Sequence, residues 1–154
     1  MDFDFSDDQQ SLRDAVRKWV DKGYAFERRR AIVAAGGFDR AAWGELAELG
    51  LTALTVPEAY GGLDQGPIDA MVAMEELGRG IVLEPLAQAF IAAGVLSQHA
   101  PEAVQAAWLP RIAGGEALVV LAHPGTQGAL PPRRLRGRSG KKHPQGMRLQ
   151  LPKA

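Results

Sequence analysis

Cysteine is absent from this 154-residue chain. That excludes disulfides and thiolate metal sites and leaves packing alone to hold the fold. Histidine is scarce: His99, His123 and His143 stand far apart, with no HxxxH or HExxH pair, so no zinc centre is expected. No apolar run reaches the ~18 residues that span a bilayer. The acidic, polar start MDFDFSDDQQ has the marks of neither a secretory signal nor a transit peptide. A cytoplasmic protein with no membrane partner is expected. The G-x-S-x-G elbow, the P-loop and the Rossmann G-x-G-x-x-G are also missing, so no self-contained catalytic constellation is visible.

Acid is missing from one whole stretch. Residues 125–154 carry 8 Lys and Arg and no Asp or Glu, whereas residues 1–124 carry 10 basic and 18 acidic side chains. The formal net charge of +0 therefore hides two opposed segments. Beyond Pro124 periodicity vanishes, and a disordered basic tail is expected. An acid-free Arg/Pro-rich text is what an out-of-frame GC-rich gene encodes; a genuine basic arm is the alternative. Eight cations would suit phosphates. However, the tail has no aromatic residue to stack on bases, and the acidic remainder repels a phosphate backbone, so no nucleic-acid partner is expected.

What is present reads as helix. Ser6 and Gln9 form an S-x-x-Q capping box, Asp7 and Asp8 suit a helix N-terminus, and Leu12, Val16, Trp19 and Val20 share one face. Gly23 marks a stop or kink, and Tyr24 to Ala35 is expected to continue as helix to Gly36-Gly37. Asp39 N-caps the next helix, whose buried stripe is Trp43, Leu46, Ala47 and Leu49, with Gly50 at its C-terminal turn. Leu51 to Val56 reads as extended, and Pro57 to Gly66 as a turn-rich loop. Pro67 opens a third helix along Ile68, Met71, Val72, Glu75 and Leu77. Glu84 to His99 is a fourth, apolar nearly all round. It is expected to be central and partly bare for a neighbouring domain or subunit. Pro101 begins a fifth, ending near Arg111 to Gly115. Glu116 to Ala122 (EALVVLA) is the one strand pattern. The fold class is all-α: an orthogonal or up-down bundle of about five helices over residues 1–115, with one short strand near 116–122.

Three features invite chemistry. Glu75-Glu76 suits general acid/base work, against the plainer reading of a structural pair with Arg79. Arg28, Arg29 and Arg30 suit an anion, against a solvated helix face. The glycine pairs at 36–37, 61–62 and 114–115 suit a phosphate, against ordinary turns.

Four segments in order, FSDDQQSLRDAVRKWV, WGELAELGLTALTVPEAYGG, MEELGRG and WLPRIAGGEALVVLA, carry a resemblance over residues 3 to 122. Together they resemble the N-terminal helical domain of the flavin-dependent acyl-CoA dehydrogenases. The EELGRGIVLEPL run looks like bacterial members that handle CoA esters in lipid, sterol or xenobiotic catabolism.

The resemblance implies a three-domain enzyme that binds FAD between its middle and C-terminal domains. A C-terminal glutamate takes the α-proton while the flavin takes the β-hydride. Nothing in this chain matches that glutamate, so no catalytic residue is carried over, and tight FAD binding by this chain alone is not expected. Residues 116–124 would begin a middle β domain that the basic segment interrupts.

The resemblance also assigns an acyl pocket wall to Leu83, Pro85, Leu86, Ala89 and Phe90, and an interface-shaping loop to Tyr60, Gly61 and Gly62. The implied partners are an acyl-CoA substrate and flavin-binding domains in a homo- or hetero-oligomer. The alternative is a non-catalytic helical subunit that docks on a flavin-binding chain.

Overall fold

A computed structural model describes residues 4–121. Six α-helices make the described fold: α1 (Asp7–Gly23), α2 (Phe26–Ala34), α3 (Arg40–Glu48), α4 (Pro67–Arg79), α5 (Leu86–His99) and α6 (Glu102–Ala113). The all-α expectation holds.

Capping explains most of the boundaries. Ser6 Oγ accepts from Gln9 N–H at 3.2 Å and Gln9 Oε1 accepts from Ser6 N–H at 3.1 Å, so α1 opens on the full capping box. Asp39 Oδ1 accepts from Ala41 N–H at 3.0 Å and caps α3. Pro67 is the first residue of α4, where its missing N–H costs no bond.

The core has two main bodies. One gathers Val16 and Val20 of α1, Trp43 and Leu46 of α3, Ala73 and Leu77 of α4, and Leu86 and Ala89 of α5. The other joins Val56, Leu96, Leu109 and Ile112 around α5 and α6. Helix α1 runs closely against α4: a Cβ added at Gly80 would lie 2.5 Å from Val20 Cγ1. The end of α6 is fastened to α3 and to the turn that follows it. Trp43 Nε1 donates to Gly115 O at 2.9 Å, and Thr52 Oγ1 donates to Ala113 O at 2.7 Å.

Three expectations need correction. The first helix stops at Gly23, where the sequence marks a stop or kink, but helix resumes only at Phe26, so Tyr24 and Ala25 are not helical as expected. Tyr24 turns its ring into the interior, and Arg28 Nη1 takes up the Gly23 carbonyl at 2.9 Å, as a basic side chain at a helix C-terminus does. Leu51 to Val56 is not extended. Leu51–Ala53 is a 3-10 turn with Leu51, Leu54 and Val56 buried, and a short apolar run has no periodicity to separate the two.

Residues 116–121 form no strand. A strand exists only within a ladder, and no second strand lies among the described residues. Ala122 and the expected tail fall outside those residues. Helix α5 is central, as expected: Leu86, Ala89, Ala92, Ala93 and Leu96 are buried, and among its large apolar side chains Ile91 is exposed.

Candidate functional site

The connection from α4 to α5, residues 80–85, is irregular backbone held by bonds from distant parts of the chain. Helix α4 closes in a Schellman arrangement: Ile81 N–H donates to Gly78 O and Val82 N–H to Leu77 O, both at 3.0 Å. The left-handed residue there is Ile81, with φ of 51°, where glycine is the usual occupant. Arg29 Nη1 donates to Gly80 O at 2.8 Å. Leu83 N–H donates to Tyr24 Oη at 3.1 Å. Tyr24 Oη in turn donates to Glu84 Oε2 at 2.8 Å, and Glu84 Oε1 accepts from Asp39 N–H at 3.3 Å. Pro85 (φ −81°, ψ 54°) is the centre of an inverse γ-turn closed by Leu86 N–H to Glu84 O at 2.8 Å.

The five positions expected on an acyl pocket fall into two sets. Leu86 and Ala89 are wholly buried and belong to the main core. Leu83, Pro85 and Phe90 are half-buried; Leu83 packs beside Tyr24, Ile32 and Ala42, and Phe90 beside the main core.

The loop expected to shape an interface lies at the other core body, against which Tyr60 packs half-buried. Gly61 takes φ of 79°. Gly62 is required for another reason: an added Cβ would lie 1.9 Å from the Val56 carbonyl oxygen. Leu63, Asp64 and Gln65 N–H donate to Ala53, Val56 and Leu54 carbonyls, at 3.0, 2.9 and 2.8 Å, folding the loop back over the 3-10 turn.

The paired carboxylates are structural. Glu76 is buried, accepting from Arg17 at 2.6 and 3.2 Å and from Arg79 Nε at 2.9 Å. The Arg17 bonds foremost, then those of Arg79, hold its carboxyl down at about 2 against the opposing effect of burial. A group so firmly ionised is a poor proton acceptor at neutral pH. Glu75 pairs with Arg13 at 3.0 Å.

Two members of the arginine run are likewise engaged. Arg28 binds both Glu45 oxygens at 2.8 and 2.9 Å and reaches Asp39 at 3.4 Å, and Arg29 holds Gly80. Trp19 Nε1 donates to the same Glu45 at 2.8 Å. The run is neither a free anion site nor a uniformly solvated face.

None of the three glycine pairs offers a free amide to a phosphate. The amides of Gly36 and Gly37 donate to Val33 and Ile32 carbonyls, those of Gly61 and Gly62 to Glu58 and Pro57, and those of Gly114 and Gly115 to Pro110 and Ile112. All six are committed to their own turns. Among the described residues no three His, Cys, Asp or Glu side chains converge where they would hold a metal ion, and no helix is long and apolar enough to cross a membrane.

The arrangement is a helical bundle whose α4–α5 connection is pinned from three other places in the fold. The chain belongs to the acyl-CoA dehydrogenase family: residues 6–116 match the family described as "Acyl-CoA dehydrogenase, N-terminal domain". It is 35% identical over 80 residues to benzylmalonyl-CoA dehydrogenase of Aromatoleum aromaticum, an overlap of 52% of this chain and 21% of the relative.

In structure it is similar to the butyryl-CoA dehydrogenase of Megasphaera elsdenii (TM-score 0.66, 26% identity, 83% of this chain and 35% of that one). It is also similar to a chain of the Tcur3481-Tcur3483 steroid ACAD G363A variant (TM-score 0.66, 29% identity, 70% and 30%). The chain thus spans about a fifth to a third of the length of these relatives.

Proposed function

We propose that this chain supplies one wall of the acyl pocket in a flavin-dependent acyl-CoA dehydrogenase, and that the flavin seat and the proton acceptor lie outside residues 4–121. The observation that carries this reading is the half-buried apolar set Leu83, Pro85 and Phe90, the first two on a connection pinned by Tyr24, Arg29 and Asp39 and the third on the helix it leads into. The work of these residues is to exclude water and orient the acyl group. Each methylene they withdraw from water contributes ~0.8 kcal/mol to binding. FAD, the cofactor of this family, supplies the hydride acceptor when bound, and its seat and the base are assigned to parts of the enzyme beyond the described residues. The Tyr60–Gly62 loop is read as shaping the face toward the neighbouring domain, and residues 116–121 as the lead into it.

The test is a dye-reduction assay of the chain with an acyl-CoA, added FAD and an electron acceptor. No turnover is expected. Measurable turnover would contradict the proposed division of labour.

One observation favours a second reading, a helical subunit that docks on a separate flavin-binding chain. Helix α2 buries only Ile32, leaving Phe26 and Val33 at 61% and 60% exposure. Sedimentation of the chain with a candidate flavin-binding subunit, and of a Phe26→Ser/Val33→Ser variant, separates the readings: docking through α2 predicts association that the variant loses.

A further inference from the structure

We propose that Tyr24 and Glu84 are positioning residues, a buried strut that fixes the α4–α5 connection and with it Leu83 and Pro85. This rests on the acyl-wall reading above and adds to it the device that holds the wall in place.

Tyr24 lies at the break between α1 and α2, Asp39 at the entry to α3, and Leu83 and Glu84 in the α4–α5 connection. These three places meet at one buried point. The Tyr24 hydroxyl accepts from Leu83 N–H and donates to Glu84, whose other oxygen accepts from Asp39 N–H. Tyr24 and Glu84 are 3% and 5% exposed, so neither bond is readily exchanged for water.

Glu84 has no salt bridge among the described residues. Its carboxyl is held by neutral donors only, a costly way to fill interior space when an apolar side chain would pack at no such cost. What the arrangement secures is location. Leu83 and Pro85 flank Glu84 directly, and the γ-turn at Pro85 passes the constraint to Leu86, the first residue of α5. The Tyr24 ring is itself braced by Trp19, at 5.3 Å between centroids, and by the Arg28 guanidinium 5.8 Å from its centre.

Hydrogen exchange of the full chain, read at single amides, tests this. Tyr24→Phe removes both hydroxyl bonds while keeping the ring. Exchange at Leu83 is expected to rise about tenfold, the equivalent of about one hydrogen bond, while amides in α1 and α4 such as Val16 and Leu77 stay unchanged. Glu84→Gln retains a carbonyl acceptor for the Tyr24 hydroxyl and is expected to preserve Leu83 protection better than Glu84→Ala.

Unchanged exchange at Leu83 in Tyr24→Phe, a uniform rise through α1 and α4, or equal behaviour of the two Glu84 variants would each overturn the strut. A parallel arm adds octanoyl-CoA to the wild-type chain. Protection over residues 83–90 supports the acyl-wall reading. Its absence counts against that reading while leaving the Leu83 comparison intact, so the two failures are distinguishable.

Discussion

Arg17 Nη2 donates to Glu76 Oε1 across 2.6 Å, joining a side chain half in water to one almost wholly withdrawn from it. The same carboxylate accepts from Arg79, which also reaches Asp21 at 2.8 Å, so one buried acid ties α1 to α4 through two guanidinium groups. Removing its charge with Glu76→Gln is expected to cost about 2 kcal/mol at neutral pH, within the range for bonds to charged groups. The two arginines remain half in water and rehydrate, which keeps the loss from being larger. A lower urea midpoint at unchanged slope checks this.

Acid should act through the same group. The folded Glu76 carboxyl titrates near about 2, below its ordinary 4.5. Its contribution is therefore complete above pH ~4.5 and is lost as pH falls toward 2. Melting temperature measured across that window should fall more steeply in wild type than in Glu76→Gln, the two converging near pH 2. Asp39 and Glu45 are also lowered, by the Ala41 amide foremost in one case and by Arg28 in the other, so the variant keeps some slope.

Alkali should act through Tyr24. Burial foremost raises its hydroxyl from 10.0 to about 12. A raised folded value means the contribution is present below pH ~10 and is lost as pH climbs through 12. With only two tyrosines in the chain, ultraviolet titration should resolve a late one that Tyr24→Phe abolishes. A single transition near 10 for both would contradict the buried placement.

Glycine requirements differ between neighbours. Gly61→Ala forces a left-handed alanine, at about 1 kcal/mol. Gly62→Ala drives a methyl into the Val56 carbonyl, and about 3 kcal/mol is expected as the backbone shifts. Chemical denaturation of the two variants gives the order directly.

At Ile81 the sign reverses. Its left-handed conformation carries about 1–2 kcal/mol of strain, and its side chain is 60% exposed. Ile81→Gly relieves the strain, loses little packing and costs unfolded-state entropy. A net gain of about 0.5 kcal/mol in unfolding free energy is the expected result.

Helix ends were legible wherever a local bond makes them: Ser6 with Gln9, Asp39, Pro67, and the left-handed glycines at 36, 50 and 115. Gly23 was readable as a stop, but the inward turn of Tyr24 beside it was not, because its hydroxyl partner lies 60 residues away. The pairing of Glu76 with Arg79 was readable as an i,i+3 contact; the shorter bond to Arg17, 59 residues off, was not. Leu51 to Val56 and Glu116 to Leu121 misled because apolar β-branched runs suit a strand only when another strand lies alongside. At the candidate site the sequence marked the segment but could not divide it: Leu86 and Ala89 face the core while Leu83, Pro85 and Phe90 stay half-open. Spacing after a proline does not encode that division.

The acyl-wall account is tested most directly by photocrosslinking the chain with an acyl-CoA carrying a diazirine at the end of its acyl chain, then mapping adducts by mass spectrometry. The account predicts labelling concentrated between Leu83 and Phe90 and competed away by unlabelled acyl-CoA. Labelling confined to other helices, or unaffected by competitor, would contradict it.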